Sequence, residues 1–355
     1  MTQFTPGPSQ LYFTVQDHVR KAFRDDIPSV SHRSKQFESI FSETTLGVKK
    51  LLKIPDHFFI VFTGSATEIW ERSIQNLVDK KSFHLVNGAF SKRFLEIAQQ
   101  LGKKTCQEEI NPGEGFEKVN VPAGSELIAV THNETSTGVS LALPLIHALH
   151  DANPESLVIV DAVSSLPYPD LDFTKLDSVF FSVQKGFGLP AGLGVWIFNE
   201  RCLAKSEKLR SLGVGVGSYH SLPSLHRYAL KNQTPETPNV LGIYLLGKVV
   251  EDFLRRGIQS IRKETEYKAA LLYKCLEDHP HMEPFVKNKN HRSKTVIVAD
   301  ARARAAELKS YLKAKGLDPG DGYGEFRHRH LRFANFPAHS KEQFESLVDA
   351  LTAFI

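Results

Sequence analysis

The sequence has few cysteines and no long hydrophobic segment. Its 355 residues include three cysteines, Cys106, Cys202 and Cys275, which are far apart. This odd, widely spaced set excludes a disulfide framework and a cysteine-based zinc site, and it is typical of a reducing compartment. No apolar run approaches the roughly 20 residues that a membrane-spanning helix needs, and the first residues lack the features of a secretory signal peptide. We therefore expect a soluble, cytoplasmic protein with no membrane partner.

The sequence also has little excess charge of either sign. Lysine and arginine together number 44 against 40 aspartates and glutamates, which gives a net charge of +4. So weak and scattered an excess does not predict a nucleic-acid partner. The 15 histidines form no metal-spaced set with cysteine, so we expect no metal site. What the chain does contain is 41% hydrophobic residues, enough for a sizeable core, and a length that suggests two domains.

Short apolar segments alternate with amphipathic segments between residues 57 and 200. The apolar segments are nearly continuous in aliphatic and aromatic residues, which is typical of parallel strands covered on both faces. Alternation of strands with helices predicts an α/β domain with a mostly parallel sheet. The predicted strands are residues 57–62, 84–86, 127–131, 157–161, 178–183 and 194–198, and the predicted helices between them include 67–78 and 91–101.

The pattern changes after a loop at residues 213–238 that is rich in glycine, serine and proline. Helices and strands are mixed there, and glycines and a capping-box spacing mark several helix ends. We therefore divide the chain into a large α/β domain, residues 1–240, and a small α+β C-terminal domain, residues 241–355. The elements predicted in the second part are helices at 240–256, 258–276 and 301–315, strands at 295–299 and 331–336, and a last helix that begins at Ser340.

Lys185 and Asp161 are the first candidates for chemistry, because each stands at the end of a predicted strand. Burial of Lys185 would disfavour its ammonium form, lower the pKa and allow the amine to form a Schiff base. Asp161 would face the crevice where open α/β sheets bind ligands. The alternatives are a surface lysine at a strand end and an aspartate that caps a turn or helix.

A strand, a turn of small residues and a helix follow one another around residues 63–67, Thr-Gly-Ser-Ala-Thr. The backbone N–H groups of such a turn, with the hydroxyls of Ser65 and Thr67, would bind an anion at the helix N-terminus. Ordinary helix capping is the alternative. The segment matches neither the Walker A loop nor the dinucleotide-binding motif.

Four other residues offer stacking or positive charge. Phe90 follows a strand and would stack on a flat ligand, although a core position is the ordinary interpretation. Arg332 lies in an apolar strand, where a guanidinium suits a carboxylate ligand unless it forms a structural ion pair. His32 and Arg33 are a compact cationic pair that would bind a second anion or simply lie in a solvated loop.

Together these segments resemble the class V branch of the fold-type I enzymes that use pyridoxal phosphate, and within it the phosphoserine and serine/alanine–glyoxylate aminotransferases. The resemblance implies the PLP-dependent transferase fold of type I, pyridoxal phosphate as cofactor, and a homodimer with shared active sites. It extends over nearly the whole chain, in family order, through residues 4–9 (FTPGPS), 31–37 (SHRSKQF), 63–67 (TGSAT), 133–135 (NET), 161–165 (DAVSS), 184–185 (QK) and 332–337 (RFANFP).

The same resemblance implies roles for individual residues. Lys185 would bind the cofactor covalently and then move a proton, and Asp161 would pair with the pyridinium nitrogen. Phe90 would stack on the ring, and Arg332 would hold the substrate α-carboxylate near Ser9. The other implied cofactor contacts are Ser65, Ala66, Thr67, Thr135, Ser164 and Gln184, together with Gln233 and Thr234, which match residues that reach the phosphate in the neighbouring subunit's site.

Two substrates remain open under this resemblance. His32 and Arg33 resemble the pair that phosphoserine aminotransferases use on the substrate phosphate. They favour transamination between phosphoserine and 2-oxoglutarate in serine biosynthesis, by a ping-pong Schiff-base mechanism. Residues 322–327 (GYGEFR) lack the His-Arg pair that many of those enzymes carry there and are closer to the glyoxylate transaminases. A serine/alanine–glyoxylate (or pyruvate) aminotransferase is therefore the alternative.

Two further functions are weaker alternatives. A desulfurase needs a cysteine on a mobile loop, which neither Cys202 nor Cys275 matches, and another lyase of the same class has no distinct signal. A non-catalytic α/β binding protein is disfavoured by the combination of Lys185 with Asp161. For the aminotransferase, the expected partners are small amino acids and 2-oxo acids.

Overall fold

The structure is a computed structural model that describes residues 1–354. The strands are β1 Thr2–Phe4, β2 Phe58–Thr63, β3 Lys81–Val86, β4 Lys104–Glu109, β5 Leu127–Thr131, β6 Asn133–Glu134, β7 Val139–Ser140, β8 Leu157–Asp161, β9 Ser178–Ser182, β10 Gly194–Asn199, β11 Glu283–Pro284, β12 Val296–Asp300, β13 Leu317–Asp321 and β14 His330–Ala334. The α-helices are α1 Val15–Arg24, α2 Lys35–Leu52, α3 Ala66–Leu77, α4 Ala89–Gln100, α5 Leu143–Ala152, α6 Glu200–Ser211, α7 Leu222–Ala229, α8 Val240–Arg256, α9 Ile258–Asp278, α10 Ala305–Ala314 and α11 Lys341–Thr352. Short 3-10 helices are present at Ile27–Ser29, Phe173–Lys175, Lys289–His291, Arg302–Arg304 and Gly324–Phe326.

The larger sheet has the strand order β2-β10-β9-β8-β5-β3-β4. Only β10 runs antiparallel to its neighbours, β2 and β9, and the remaining pairs are parallel. The central strands β5, β8 and β9 are buried along their whole length, because helices cover both faces. The predicted α/β class with a mostly parallel sheet is confirmed, and the strand boundaries differ by only a few residues.

Strand β4 at the sheet edge was missed from the sequence. Its residues, KTCQEE, are half-buried or exposed, so they show no continuous apolar run. An edge strand has a neighbour on one side only, and charged residues are common there because they discourage pairing with other chains. Its register is parallel to β3, with Phe83 opposite Cys106.

The smaller sheet has the order β1-β13-β14-β12-β11. Strand β1, at the start of the chain, pairs in parallel with β13, so that Thr2 lies opposite Leu317. Phe4 belongs to the core beneath this sheet, whereas helix α8 packs into the core of the larger sheet. The chain therefore passes between the two cores after β1 and again after α8. The domain boundary at residue 240 stays a prediction.

Two predicted segments need correction. The loop predicted at 213–238 contains α7, a helix of eight residues that a local composition rich in serine and proline concealed. Its proline lies in the first turn, where a missing N–H costs nothing. The helix predicted from residue 301 begins at Ala305, after a 3-10 turn at Arg302–Arg304. The capping box of the last helix is confirmed, since Ser340 and Gln343 exchange backbone and side-chain hydrogen bonds.

Within residues 1–354 we find no helix with both the length and the apolar character that crossing a bilayer requires. All three cysteines are free. Over the same residues, no group of three or more histidine, cysteine, aspartate or glutamate side chains is arranged to hold a metal ion.

Candidate active site

A cavity of about 250 Å³ lies at the carboxyl ends of β2, β5, β8 and β9. Open α/β sheets bind their ligands at this end. The cavity is closed on one side by the N-terminal turn of residues 6–8 and on another by Arg332 from the smaller sheet. The predicted site residues that line it are Ser65, Ala66, Thr67, Phe90, Thr135, Asp161, Gln184, Lys185 and Arg332.

Lys185 is buried in this cavity and follows β9 by three residues, so a central strand fixes its position. Its Nζ atom donates a hydrogen bond to Thr135 Oγ1 at 3.2 Å and lies 5.2 Å from the centre of the Phe90 ring. Burial disfavours the ammonium and lowers the pKa of Lys185 to about 8, which leaves a substantial neutral fraction near neutral pH. A surface lysine, the alternative interpretation, is excluded.

The N-terminal turn closes directly over Lys185. A Cβ atom on Gly7 would lie 2.7 Å from Lys185 Cε, and the φ angle of Gly7 is +150°, which glycine tolerates best. The backbone N–H of Ser9 donates to the carbonyl of Gln184 at 3.0 Å. Ser9 itself is not among the residues that line the cavity. In residues 4–9, the segment that resembles the family motif, the backbone at Gly7 therefore approaches the Lys185 side chain closely.

Asp161 is fully enclosed at the end of β8. Its two carboxylate oxygens accept hydrogen bonds from Trp70 Nε1 and from the Val163 N–H, both at 2.9 Å. Burial is the dominant influence and raises the pKa of Asp161 to about 6, although both hydrogen bonds oppose the rise. A nearby cationic N–H group would favour the charged form further. Trp70 was missed from the sequence because its position on α3 fits the apolar face of that helix.

Ser164 lies behind Thr135 instead of lining the cavity. The Thr135 hydroxyl donates to Ser164 Oγ at 2.8 Å, and Ser164 Oγ donates to the carbonyl of Asn133 at the same distance. Asn133 Nδ2 donates back to Ser164 Oγ at 2.8 Å. This buried network fixes the Thr135 hydroxyl so that it accepts from Lys185.

The N-terminus of α3 forms the other end of the cavity. Ser65 caps the helix, with its Oγ atom accepting from the Glu68 N–H at 3.1 Å. Ala66 N–H donates to Ser182 Oγ at 3.0 Å, and Gln184 Oε1 is buried without a hydrogen-bond partner among residues 1–354. The capping interpretation of residues 63–67 is therefore right for Ser65. The helix N-terminus still faces the cavity, and its partial positive charge suits an anion.

Arg332 presents a guanidinium without a carboxylate. Its Nε atom donates to the carbonyl of Asp321 at 2.6 Å and its Nη1 atom to the carbonyl of Thr135 at 3.3 Å. Its Cζ atom lies 5.5 Å from the centre of the Tyr323 ring. Within residues 1–354 no acidic side chain forms an ion pair with it, which removes the structural alternative and leaves its charge available to a ligand.

The other predicted site residues form a second cluster outside the cavity. Arg33 Nη1 donates to the Thr234 carbonyl at 2.6 Å and to Gln233 Oε1 at 3.2 Å. The Arg33 guanidinium also lies over the Tyr228 ring, 4.8 Å from its centre. His32 adjoins this cluster in sequence, and its pKa is lowered by burial and by the Arg33 charge. The structure thus brings Arg33 together with Gln233 and Thr234, but not with Lys185.

Comparison with known proteins gives this geometry a family. The family model for class V aminotransferases matches residues 3–318. A putative phosphoserine aminotransferase of Mycolicibacterium vanbaalenii is 30% identical over 368 residues, which cover 99% of this chain and 94% of that protein. The structure of a phosphoserine aminotransferase from Cytophaga hutchinsonii superposes with a TM-score of 0.98 at 49% identity, and covers 100% of this chain and 99% of the other. A PLP-bound phosphoserine aminotransferase from Trichomonas vaginalis, 17% identical with a TM-score of 0.78 over 98% and 99% of the two chains, shares the fold.

The residues present fit pyridoxal phosphate, the cofactor of this family. The cavity offers a buried amine at Lys185, a buried carboxylate at Asp161 and an aromatic ring at Phe90. It also offers a helix N-terminus and the unpartnered Gln184 Oε1 at one end. These are the groups that a phosphorylated pyridine aldehyde requires. The chain belongs to the class V aminotransferase family and is a pyridoxal phosphate-dependent aminotransferase of fold type I.

Proposed function

We propose that this enzyme transfers the amino group of O-phosphoserine to 2-oxoglutarate, as a step in serine biosynthesis. The observation that carries the proposal is the contact of Arg33 with Gln233 and Thr234. The family resemblance implies that the segment of His32 and Arg33 and the segment of Gln233 and Thr234 both serve the neighbouring subunit's site. There the Arg33 guanidinium would face the phosphate of the substrate. The phosphoserine aminotransferases among the relatives support the same substrate. We also expect the enzyme to act in the cytoplasm, in keeping with its three free cysteines.

The proposal includes a homodimer with shared sites. His32, Arg33, Gln233 and Thr234 lie outside the chain's own cavity, so they can serve a substrate only in another copy. An apolar groove beside this cluster leaves Leu46 and Leu230 with 63% and 68% of their surfaces exposed. Exposed leucines beside a polar cluster are typical of a surface that a second subunit covers.

In the proposed mechanism Lys185 holds and moves the proton. When bound, the cofactor supplies an electron sink for charge that develops at the substrate Cα. The Nζ atom of Lys185, which the Thr135 hydroxyl orients, would remove the proton from the Cα of the amino donor. In the second half-reaction it would deliver a proton to the Cα of the amino acid formed from the 2-oxo acid. A pKa of about 8 suits both directions of transfer near neutral pH.

The remaining residues bind and orient. Arg332 holds the substrate α-carboxylate, because its guanidinium lines the cavity and has no ion-pair partner among residues 1–354. Asp161 offers a carboxylate to the ring nitrogen and is itself held by Trp70. Phe90 packs on the ring. The cofactor phosphate would be held by Ser65, Ala66, Thr67 and Gln184, and Gln233 and Thr234 would reach the phosphate in the neighbouring subunit's site.

A serine/alanine–glyoxylate aminotransferase is the second candidate, and the loop before Arg332 favours it. Tyr323 stands there against Phe90, with 5.1 Å between the ring centres. The side chain adds an aromatic wall to the cavity and no cation. A substrate without a phosphate would need nothing more than Arg332 for its single carboxylate.

Half-reactions with O-phosphoserine, serine and alanine test the choice. We expect phosphoserine to have the highest kcat/KM of the three donors. Arg33→Ala should lower kcat/KM by about 100-fold for phosphoserine and change kcat/KM for serine by less than about threefold. Arg20→Ala, at an exposed position where the arginine pairs with the equally exposed Asp17, is the matched control. Equal use of phosphoserine and serine, with no loss in the Arg33 variant, would establish the second candidate instead.

A further inference from the structure

A buried histidine lies behind the N-terminus of α3, outside the residues assigned so far. His220 is 4% exposed and stands between two carboxylates. Its Nδ1 atom contacts Glu68 Oε1, and its Nε2 atom lies 3.2 Å from Glu236 Oε2. We call His220, Glu68 and Glu236 the His220 cluster. It belongs neither to the cavity of Lys185 nor to the Arg33 contacts.

Glu68 braces the turn that we propose holds the cofactor phosphate. Its Oε2 atom accepts the Gly64 N–H at 2.9 Å, while its own N–H donates to Ser65 Oγ at 3.1 Å. Both bonds shape the turn that leads into Ala66. The carboxylate is favourable at an empty helix N-terminus, but it repels any anion that binds at the same helix end. Something must offset its charge when a phosphate binds there.

Glu236 belongs to the segment that we propose reaches the neighbouring subunit's site. Thr234 Oγ1 donates to the Glu236 carbonyl at 2.8 Å, and Arg33 holds the Thr234 carbonyl from the other side. His220 Nε2 and Glu236 Oε2 lie within ion-pair distance but have no partner with hydrogen-bond geometry among residues 1–354, so an electrostatic attraction links residues 233–236 to the first turn of α3. One imidazole joins the two segments that are expected to contact a phosphate.

His220 carries the positive charge that this arrangement needs. Although burial disfavours its charged form, the contacts with Glu236 and Glu68 raise the pKa of His220 to about 9. The other groups that face the cluster are Arg72 of α3, 3.7 Å from Glu68, His32, whose pKa Glu236 influences, and the Tyr219 ring, tilted against the imidazole with 4.1 Å between the ring centres. Only His220 among them contacts both carboxylates.

We propose that His220 is a positioning residue for the cofactor phosphate. His220 neutralises the charge of Glu68 beside the N-terminus of α3, and it links residues 233–236 to that helix. The inference rests on the proposed placement of the phosphate at this helix end. Its distinctive consequence is that His220 affects affinity for a phosphorylated ligand and not for the same ligand without its phosphate.

Binding of pyridoxal phosphate and of pyridoxal to the full-length apoenzyme tests the proposal, with dissociation constants taken from absorbance titrations. His220→Gln is expected to raise the dissociation constant of pyridoxal phosphate by about tenfold or more and that of pyridoxal by less than about threefold. Glu71→Gln, at an exposed position of the same helix, is the matched control and is expected to change neither affinity by more than about threefold. Glu68→Gln is combined with His220→Gln in a double variant. The double variant should recover most of the loss, because it removes the uncompensated carboxylate together with the cation.

The outcomes separate this inference from the site assignment. Equal weakening of both ligands, or a double variant no better than His220→Gln, would overturn the role of His220. A wild-type protein that binds pyridoxal as tightly as pyridoxal phosphate would overturn the phosphate placement itself. The wild-type affinity ratio gives a measurement that does not depend on a variant folding. The affinity for pyridoxal phosphate relative to pyridoxal is expected to fall as pH rises through about 9, where His220 loses its charge. Titration of Lys185 affects both ligands alike and leaves this ratio unchanged. A ratio that stays constant to pH 10 would contradict the proposal.

Discussion

The amine of Lys185 is hydrogen-bonded to the hydroxyl of Thr135, with 3.2 Å between Nζ and Oγ1. The two residues are 50 positions apart in sequence, and the hydroxyl is fixed from behind by Ser164. The lysine is therefore aimed by a buried network and not only by the strand that precedes it. This network fixes the direction in which the amine points within the cavity.

Replacement of Lys185 by alanine is expected to remove transamination. The proton at the substrate Cα would then have no acceptor in place, so the rate should fall by at least about 1,000-fold. Single-turnover reaction with an amino acid, followed through the cofactor's visible absorption, measures it. Lys268→Ala serves as a control at another buried lysine, whose Nζ lies against backbone carbonyls, Glu264 and the Phe344 ring, away from the cavity. Full turnover by the Lys185 variant would refute the assignment.

The rate at which the apoenzyme takes up pyridoxal phosphate is expected to rise with pH and to reach half its maximum near pH 8. The neutral amine of Lys185 reacts, and its pKa is lowered to about 8 by burial, with a contribution from the Arg332 charge. Removal of that charge in Arg332→Gln should move the midpoint to higher pH. Stopped-flow absorbance measures both curves, and a midpoint near pH 10.5 would show that the lysine is solvated.

Trp70→Phe is expected to shift the acid limb of kcat/KM to higher pH and to lower the maximum by about tenfold. The indole N–H favours the charged form of Asp161, so its loss raises the carboxyl pKa further above 6. Asp161→Asn should cost more, about 100-fold or greater, because the carboxylate itself is lost. An unchanged pH profile in Trp70→Phe would mean that the indole only fills space.

Arg332→Gln is expected to raise KM for the amino acid by about 100-fold with a smaller change in kcat. The guanidinium has only backbone carbonyl acceptors within the described residues, so its remaining N–H groups are available to a substrate carboxylate. Arg329→Gln is the matched control, since Arg329 lies just before β14 and pairs with Asp300 at 2.6 Å. If both variants lost affinity equally, the effect would come from the small sheet and not from carboxylate binding.

Much of the large sheet was predictable because its signals are local. Strands β5, β8 and β9 are continuous apolar runs, and Asp161 and Lys185 stand at or just beyond the ends of two of them. A residue at the carboxyl end of a parallel strand must lie at the ligand-binding edge, whatever the strand order. The edge strand β4 was missed for the complementary reason, since half of its surface faces solvent and carries no apolar run.

By itself, the sequence determined which residue types stand at the strand ends and which helices begin with a capping group, because both depend on neighbours within a few positions. Only the tertiary structure decided that β1 joins the smaller sheet beside β13 and that Trp70 reaches Asp161. It also decided that Arg33 lies against Thr234 instead of the cavity. Each of these contacts joins segments distant in the chain, and packing of the whole core, which no local pattern encodes, sets their distance.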